Sequence, residues 1–469
     1  MICFGTGGWR AEIGKDFYMS NIQLVAQALS NCILQDNQAD QPVVIGYDRR
    51  FLSPQAAEWT AQVLAANGIH VWFMRRSVPT PLIMHLVKHH SLHYGVEITA
   101  SHNPAIYNGI KIIVEEGRDA PVEFTQRLER EIARIEKTAV LSTQQAVDKG
   151  LLTYLQNPFN EFIDDILAVL DTKAIRERGP RILFDSMHGS STYPLNVIFY
   201  TTRCTVDQIH SNKDAYFGGL MPAPTECTMG ELQNLVVQGG YDLGIAVDGD
   251  GDRLGVIDGT GQYISANEIL VLLYYYLHEY KGWKGPVVRN LSTTHLLDRI
   301  AESFGETCYE VPVGFKNISA KIDEVDAVLG GESSGGLTVR GHIHGKDSVY
   351  SSALFVEMIC KTGMYPSEMM RQITERFGRY VMKESNLAFP AERKADLTKK
   401  IMEDRILPEF SQQPAKVSYL DGCKVYFADD SFVVCRFSGT EPLLRIFAEA
   451  HSEGRAMEYI AAWRSSLGL

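Results

Sequence analysis

Short apolar runs alternate with amphipathic stretches through the first three quarters of the chain, a pattern that predicts βαβ units. Val43 to Tyr47 reads as a strand, and Ser53-Pro54 then supplies an N-cap with proline at the first helical position. That helix should end near Gly68. Ile69 to Met74 reads as a second strand, Pro79 opens another helix, and Tyr94 to Thr99 reads as a third strand. Phe124 to Lys137 has the charge pattern of an amphipathic helix. Asn103-Pro104 and Asn108-Gly109 are turn dipeptides.

A second alternating block follows. Asn157 is placed to cap a helix through Leu170, Arg181 to Asp185 is a strand, Met229 to Val237 a helix, and Tyr241 to Val247 a strand. A third block has strands near Val287, Tyr309 and Val328 and helices near Leu272 and Leu297. After about Gly378 the pattern changes. Val417–Tyr419, Lys424–Phe427, Phe432–Phe437 and Leu444–Ala448 read as consecutive strands, and a helix near Trp463 closes the chain. The expected fold class is therefore α/β, with parallel or mixed sheets in three blocks of similar layout, plus an α+β domain at the C-terminus. The expected domains are 1–145, 146–257, 258–375 and 376–469.

Composition constrains the function classes. The 469 residues are 45% apolar and 22% charged, ordinary for a globular protein and enough for about three to four domains. A net charge of −12 argues against nucleic acid as the main partner. It leaves small anions open, because local arginines and lysines decide their binding. The eight cysteines, Cys3, Cys32, Cys204, Cys227, Cys308, Cys360, Cys423 and Cys435, form no CxxC pair and read as reduced structural thiols. MICFGTGGWRAEIG has no apolar signal core, and Ile269 to Leu277 is too short to span a bilayer. A soluble, cytoplasmic protein without a membrane partner is expected.

Four loops carry chemistry. Asp248-Gly249-Asp250-Gly251-Asp252-Arg253 follows an apolar strand. Three carboxylates at alternate positions offer oxygen ligands to a hard cation such as Mg²⁺ or Ca²⁺. It is not an EF-hand loop, because Arg253 and Gly259 stand where that loop needs glycine and glutamate. Arg253 beside the carboxylates suits a phosphate. Arg436-Phe437-Ser438-Gly439-Thr440 combines a guanidinium, hydroxyls and backbone N–H groups, the parts of a phosphate grip. The competing reading is a polar hairpin turn. In Gly330-Gly331-Glu332-Ser333-Ser334-Gly335-Gly336 the glycines admit a ligand, and Glu332 and Ser334 can bond sugar hydroxyls. The competing reading is a flexible linker. Gly5-Thr6-Gly7-Gly8-Trp9-Arg10 is a glycine-rich start. Neither a P-loop nor a clean dinucleotide fingerprint is present. Finally, Ser101-His102-Asn103-Pro104 stands where the third strand ends, with Lys111 shortly after.

TASHNP, DGDGDR, GESSG and RFSGTEP, in this order, resemble the motifs of the α-D-phosphohexomutase family, the phosphoglucomutases and phosphomannomutases. FGTGGWR is similar to the family's N-terminal motif, and Val313-Gly314-Phe315-Lys316 to its sugar-recognition loop. The resemblance implies four domains around a central cleft: three related α/β domains and a C-terminal domain with an antiparallel sheet. It implies that Ser101 carries the phosphoryl group and that Asp248, Asp250 and Asp252 bind Mg²⁺ together with it. Arg253 would neighbour the metal, Lys111 would serve proton transfer, and His102 would support the serine loop. Glu332 and Ser334 would contact sugar hydroxyls, and Lys316 the sugar's orientation. Arg436, Ser438, Gly439 and Thr440 would hold the phosphate that is not transferred, and Arg10 would line the site floor. Gly336 stands where one bacterial branch has histidine. Gly341-His342-Ile343-His344-Gly345-Lys346-Asp347 instead resembles the phosphoglucomutase branch, in which His342 and Lys346 would serve the active site. That branch continues with glycine where this chain has Ser348.

The implied activity is interconversion of hexose 1-phosphate and hexose 6-phosphate, with glucose first and mannose second. It would run through a phosphoserine and a hexose 1,6-bisphosphate, glucose 1,6-bisphosphate being intermediate and activator. Phosphoglucosamine mutase, phosphopentomutase, a phosphatase with a phosphoserine intermediate and a non-catalytic sugar-phosphate-binding protein are the alternatives. Sugar phosphates are the expected partners, and the chain would be a monomer or homodimer.

Overall fold

The computed structural model describes residues 2–5, 7–438 and 443–469. The chain forms two units, Met1–Ile269 with Ser334–Ser367, and Leu270–Ser333 with Glu368–Leu469.

The first unit holds two sheets. In one, the buried apolar strands Val43–Tyr47, Val71–Phe73 and Tyr94–Ile98 run parallel, as the connecting helices Ser53–Ala66 and Thr80–His89 require. The strand order is Phe4–Gly5, Gly8–Glu12, Tyr107–Val114, Tyr94–Ile98, Val43–Tyr47, Val71–Phe73, Leu152–Tyr154. Tyr107–Val114 is antiparallel to both its neighbours, with Glu97 opposite Lys111 and Arg10 opposite Gly109. The second sheet places Thr205–Ile209, Arg181–Asp185 and Leu243–Val247 in parallel and then turns antiparallel through Leu254–Asp258 and Tyr263–Ile264. All five residues of Leu243–Val247 are buried, as a central strand covered on both faces demands.

In the second unit Cys308–Val311, Val287–Asn290 and Leu329–Gly331 are parallel neighbours. Its other sheet is antiparallel throughout, in the order Val381–Ala388, Leu443–Ala450, Phe432–Phe437, Cys423–Phe427, Pro414–Ser418. The closing helix Glu453–Leu467 buries Tyr459, Ile460 and Trp463 against this sheet's core, formed by Val425, Val433, Ile446 and their neighbours.

Several expectations are corrected. Asn108-Gly109 is not a turn but lies inside a strand. A Cβ at Gly109 would collide with the Trp9 carbonyl and stand 2.8 Å from that of Thr99, so glycine is needed for strands to meet. The chain reverses earlier, where Asn103 donates its N–H to Ala100 O and Tyr107 to Pro104 O, both at 3.0 Å. Ser53 is the first residue of its helix rather than the cap, and Leu52 at φ 66° precedes it. Pro158, not Asn157, precedes the helix Phe159–Val169. The amphipathic helix runs Val122–Ile132 and stops before Lys137. The helix Met19–Gln35 was not anticipated, although Ile22, Val25, Ala26, Leu29, Cys32 and Ile33 form its buried stripe. All eight cysteines are free thiols. Among the described residues no helix is long and apolar enough to cross a membrane.

Candidate active site

The loop Asp248–Arg253 joins two paired antiparallel strands, Val247 being opposite Leu254. Asp248 folds the loop on itself: its Oδ1 accepts the N–H groups of Asp252 at 2.8 Å and Arg253 at 3.0 Å. Asp248, Asp250 and Asp252 are all buried, and their ligand oxygens lie within 4.8 Å of one another. Asp250 Oδ1 and Asp252 Oδ1 are buried without a hydrogen-bond partner. Orphaned carboxylate oxygens are costly unless a cation takes them. An all-oxygen set of this kind fits a hard divalent cation such as Mg²⁺.

Ser101 comes to this loop from the neighbouring sheet. It is 1% exposed and sits at φ 52°, a left-handed conformation rare for serine and found where a site holds strain. Its Oγ donates to Asp248 Oδ2 at 3.2 Å and stands 3.2 Å from His102 Nδ1. Gly249 permits the approach, since a Cβ there would stand 2.9 Å from the Ser101 carbonyl. The backbone of the serine loop is gripped by Arg50, which is 1% exposed. Its guanidinium donates to the carbonyls of Ser101 and Asn103 at 2.6 Å and of Pro104 and Tyr107 at 3.0 Å. Asp48 pairs with Arg50 at 3.2 Å and accepts the Thr99 hydroxyl at 2.7 Å. Thr99 Oγ1 in turn accepts the Ser101 N–H at 2.8 Å. Sequence reading missed Asp48 and Arg50. The signal was there, a charged Asp-Arg-Arg at the C-terminal end of a buried parallel strand, where α/β sheets place ligands.

Cations surround the carboxylates. Lys111 Nζ lies 2.8 Å from Asp250 Oδ2 and 2.9 Å from Asp252 Oδ2, and Lys346 Nζ lies 2.9 Å from Asp252 Oδ2. Arg253 Nε is 3.9 Å from Asp252 Oδ1. Burial opposes the charge of Lys111, but the two aspartates outweigh it and hold its proton above the ordinary lysine range. Burial and the two neighbouring carboxylates push Asp248 up. Burial also opposes the charge of Asp252, yet Lys111, Lys346 and Arg253 hold it well below the usual carboxylate range. Burial, Arg253 and Arg10 hold His102 well below the ordinary imidazole value, so it is neutral. Arg10 NH1 donates to Asn103 Oδ1 at 2.7 Å, which brings it to the serine loop.

The segment after Ser334 closes this arrangement. Gly335 O accepts the Leu254 N–H at 3.2 Å, which sets Ser334 beside the end of the aspartate loop. A Cβ at Gly336 would collide with Lys346 Cδ, so glycine here is what lets Lys346 reach Asp252. Ser348, the residue that departs from the phosphoglucomutase pattern, braces the aspartate loop: its Oγ donates to Gly251 O at 2.7 Å. His342 has a different place from its neighbours in the motif. Its Nε2 is 2.6 Å from Asp347 Oδ2, and its ring lies against Tyr350. Asp347 Oδ1 caps the helix Ser348–Thr362. His342 thus orients a helix cap and makes no described contact with the aspartates.

The remaining expected residues lie in the second unit. Lys316 is in the first turn of the helix Phe315–Val325, after Gly314 at φ 119°. Asp421 Oδ2 accepts the Val313 N–H at 3.0 Å and pairs with Arg436 NH2 at 3.3 Å, so one carboxylate brings the Lys316 loop and Arg436 together. Glu332 is buried, with Asn290 Nδ2 3.4 Å from its Oε2. Ser438 is buried and donates its N–H to Leu443 O at 2.8 Å. Gly439 and Thr440 lie outside the described residues.

Four family models match in chain order. They are described as Phosphoglucomutase/phosphomannomutase, alpha/beta/alpha domain I over residues 1–139, domain II over 160–261, domain III over 265–377, and C-terminal domain over 384–465. The chain is 27% identical to a phosphoglucomutase/phosphomannomutase of Thermococcus kodakarensis, over 97% of this chain and 96% of that one. It is 30% identical to a protein of Methanopyrus kandleri named "Probable phosphoglucosamine mutase", over 97% and 95%. It also shares the fold of the Paramecium phosphoglucomutase parafusin, with a TM-score of 0.83 at 19% identity, over 100% of this chain and 95% of that one. The chain belongs to the phosphoglucomutase/phosphomannomutase family, the α-D-phosphohexomutases, and is an intramolecular phosphotransferase.

Proposed function

We propose that the protein interconverts glucose 1-phosphate and glucose 6-phosphate through a phosphoserine at Ser101, with glucose 1,6-bisphosphate as intermediate and activator. The observation that carries this reading is the Ser101 hydroxyl, buried, 3.2 Å from Asp248 and fixed in a strained loop by Arg50. Asp248, Asp250 and Asp252 with the Ser101 oxygen would hold Mg²⁺, which supplies charge neutralisation on the transferring phosphoryl group.

In the first half-reaction the Ser101 Oγ–P bond breaks and a bond from phosphorus to the sugar's free O1 or O6 forms. The sugar hydroxyl gives up its proton, and Ser101 Oγ, the leaving oxygen, takes up one proton, so the half-reaction balances. In the second half, the other phosphate of the bisphosphate returns to Ser101 and its sugar oxygen is protonated. Lys111 is an ammonium here. It can give a proton to a leaving oxygen, and takes one back only after it has given its own. His102, neutral and 3.2 Å from the serine oxygen, supports the loop and can accept a hydrogen bond. Arg253 and Lys346 balance the phosphoryl charge. Arg10 and Ser334 line the serine side. Arg436, Ser438, Gly439 and Thr440 grip the resting phosphate, Lys316 helps set the sugar's orientation, and Glu332 takes its hydroxyls.

A second reading has glucosamine phosphate as the substrate, favoured by the name of the Methanopyrus relative at 30% identity. Relative kcat/KM on glucose, mannose, glucosamine and pentose 1-phosphates separates the two. Glucose 1-phosphate is expected to lead by about tenfold or more, a difference of about 1.4 kcal/mol in transition-state binding. A lead for glucosamine 1-phosphate replaces glucose with the amino sugar, and stoichiometric free phosphate in place of hexose 6-phosphate contradicts a mutase.

A further inference from the structure

A second cluster of ligating side chains lies away from the serine and the aspartates. The helix Thr80–His89 carries His85 and His89 one turn apart, so both rings face the same side. The helix Phe159–Val169 presents Asp165 to them, with Phe162 buried against His85 at 5.3 Å between ring centroids. His85 Nε2 is 2.8 Å and His89 Nδ1 3.3 Å from the same oxygen, Asp165 Oδ2. The three ligand atoms lie within 4.8 Å of one another.

We propose that His85, His89 and Asp165 bind a divalent transition-metal ion of the zinc class, which would clip the helix Thr80–His89 to the helix Phe159–Val169. Donors that share a tetrahedral zinc stand about 3.3 Å apart, given metal–donor bonds of about 2.0–2.2 Å; the two histidine–aspartate separations, 2.8 and 3.3 Å, reach that spacing with a small outward shift of His85. Imidazole nitrogen with one carboxylate suits Zn²⁺ and its neighbours, whereas the all-oxygen aspartate loop suits Mg²⁺. The plain alternative is two histidine–aspartate ion pairs. It places two ring N–H donors on one carboxylate oxygen, with the ring centroids 5.1 Å apart. A dication instead accepts a lone pair from each neutral ring.

Among the outer groups, His85 Nδ1 is buried without a hydrogen-bond partner. Glu161, one turn before Asp165, has its Oε2 3.8 Å from the other nitrogen of His89 and 3.0 Å from His90 Nε2. Glu161 is hydrogen-bonded to His90, not to His89, and adds negative charge beside the cluster. His85 is 5% exposed, while the side chains of His89 and Asp165 are 38% and 52% exposed. Water can therefore enter and fill a fourth position. At its other end the same helix begins with Thr80, whose hydroxyl donates to Asp250 Oδ2 at 2.7 Å. One short helix thus links this cluster to the aspartate loop.

The test is equilibrium dialysis of the metal-free full chain against zinc chloride with Mg²⁺ saturating. One zinc per chain is expected, and it should persist in Asp250→Asn. It should be lost in His89→Ala and in Asp165→Asn, both surface positions at which folding is checked by circular dichroism. Cobalt(II) should give the intense visible absorption of a four-coordinate ion in the wild type and lose it in His89→Ala. No zinc bound by the wild type, or zinc retained in both folded ligand variants, overturns the proposal.

Discussion

Arg50 shows how much of the site rests on one side chain that makes no appearance in the sequence motifs. Four carbonyls between Ser101 and Tyr107 depend on its guanidinium, and Asp48 fixes it in turn. Arg50→Met should leave these acceptors loose and Ser101 misplaced. A displacement of this kind costs about a hundredfold in rate, so kcat should fall by about that much while the Mg²⁺ affinity changes less. Steady-state kinetics with a magnesium titration reads both, and a variant with normal kcat would show that the clamp is dispensable.

Glu97 is the opposite case, a residue that weakens the fold. It is fully buried, neither carboxyl oxygen has a hydrogen-bond partner, and burial with Asp48 and Asp250 pushes its pKa well above the ordinary value. A raised folded pKa means that its titration costs the fold nothing at low pH, where both states are protonated, and costs more as pH rises above the ordinary glutamate value toward the folded one. Glu97→Met keeps the volume and removes the unsatisfied group. It should stabilise the protein by about 1–3 kcal/mol at neutral pH, read as a higher midpoint in urea. An unchanged or lower midpoint would mean that the carboxyl is satisfied in solution. Neither Arg50 nor Glu97 could be ranked from sequence, because their roles come from partners about 50 or more positions away or from the absence of any.

Elements rather than single residues explain which sequence expectations held. Val43–Tyr47, Arg181–Asp185 and Phe432–Phe437 were legible to the residue, because buried β-branched and aromatic runs bounded by polar turns have one reading. Asn108-Gly109 misled, because the same dipeptide serves a turn or a close strand crossing, and only the neighbouring strand decides. The histidine–lysine stretch before Ser348 was legible as chemistry but not as geometry. Lys346 reaches the aspartates because Gly336 makes room for it, while His342 turns to a helix cap.

The strand Val287–Asn290 and its following loop give a pH prediction. His295, 7% exposed, takes Asp430 O at 2.9 Å on Nδ1 and the Lys424 ammonium at 3.0 Å on Nε2, the pattern of a neutral ring. Burial, Lys424 and Arg289 push its pKa down to about 4. The unfolded chain binds this proton from about pH 6.5 downward and the folded chain only near its own lower value. Stability is therefore present above about 6.5 and falls as pH drops toward 4, by about 3 kcal/mol in all from this group. His295→Asn should flatten that slope in denaturant unfolding across the window. An identical slope in the variant would mean that the ring is already charged or exposed.

At the scale of the whole molecule, a chain of net charge −12 handles anionic substrates by concentrating cations at a few loops. The first unit holds Ser101, the aspartates, Lys111, Lys346, Arg253 and Arg10. The second holds Lys316, Glu332 and Arg436. Family and fold were legible because the reacting loops carry unusual composition in a fixed order. The supporting contacts were not, since Asp48 with Thr99 and Gly251 with Ser348 are joined only by folding.

The central claim is that Ser101 receives a phosphoryl group and returns it to a sugar. Peptide mass spectrometry after exposure to glucose 1,6-bisphosphate carrying heavy-oxygen phosphoryl groups and Mg²⁺, followed by a chase with unlabelled glucose 1-phosphate, tests it most directly. One heavy phosphoryl group, on an adduct of about 80 Da, should appear on the peptide containing Ser101 and be replaced by an unlabelled one during the chase as fast as the enzyme turns over. Label that settles on another residue, or that stays on Ser101 while hexose 6-phosphate accumulates, would contradict the account.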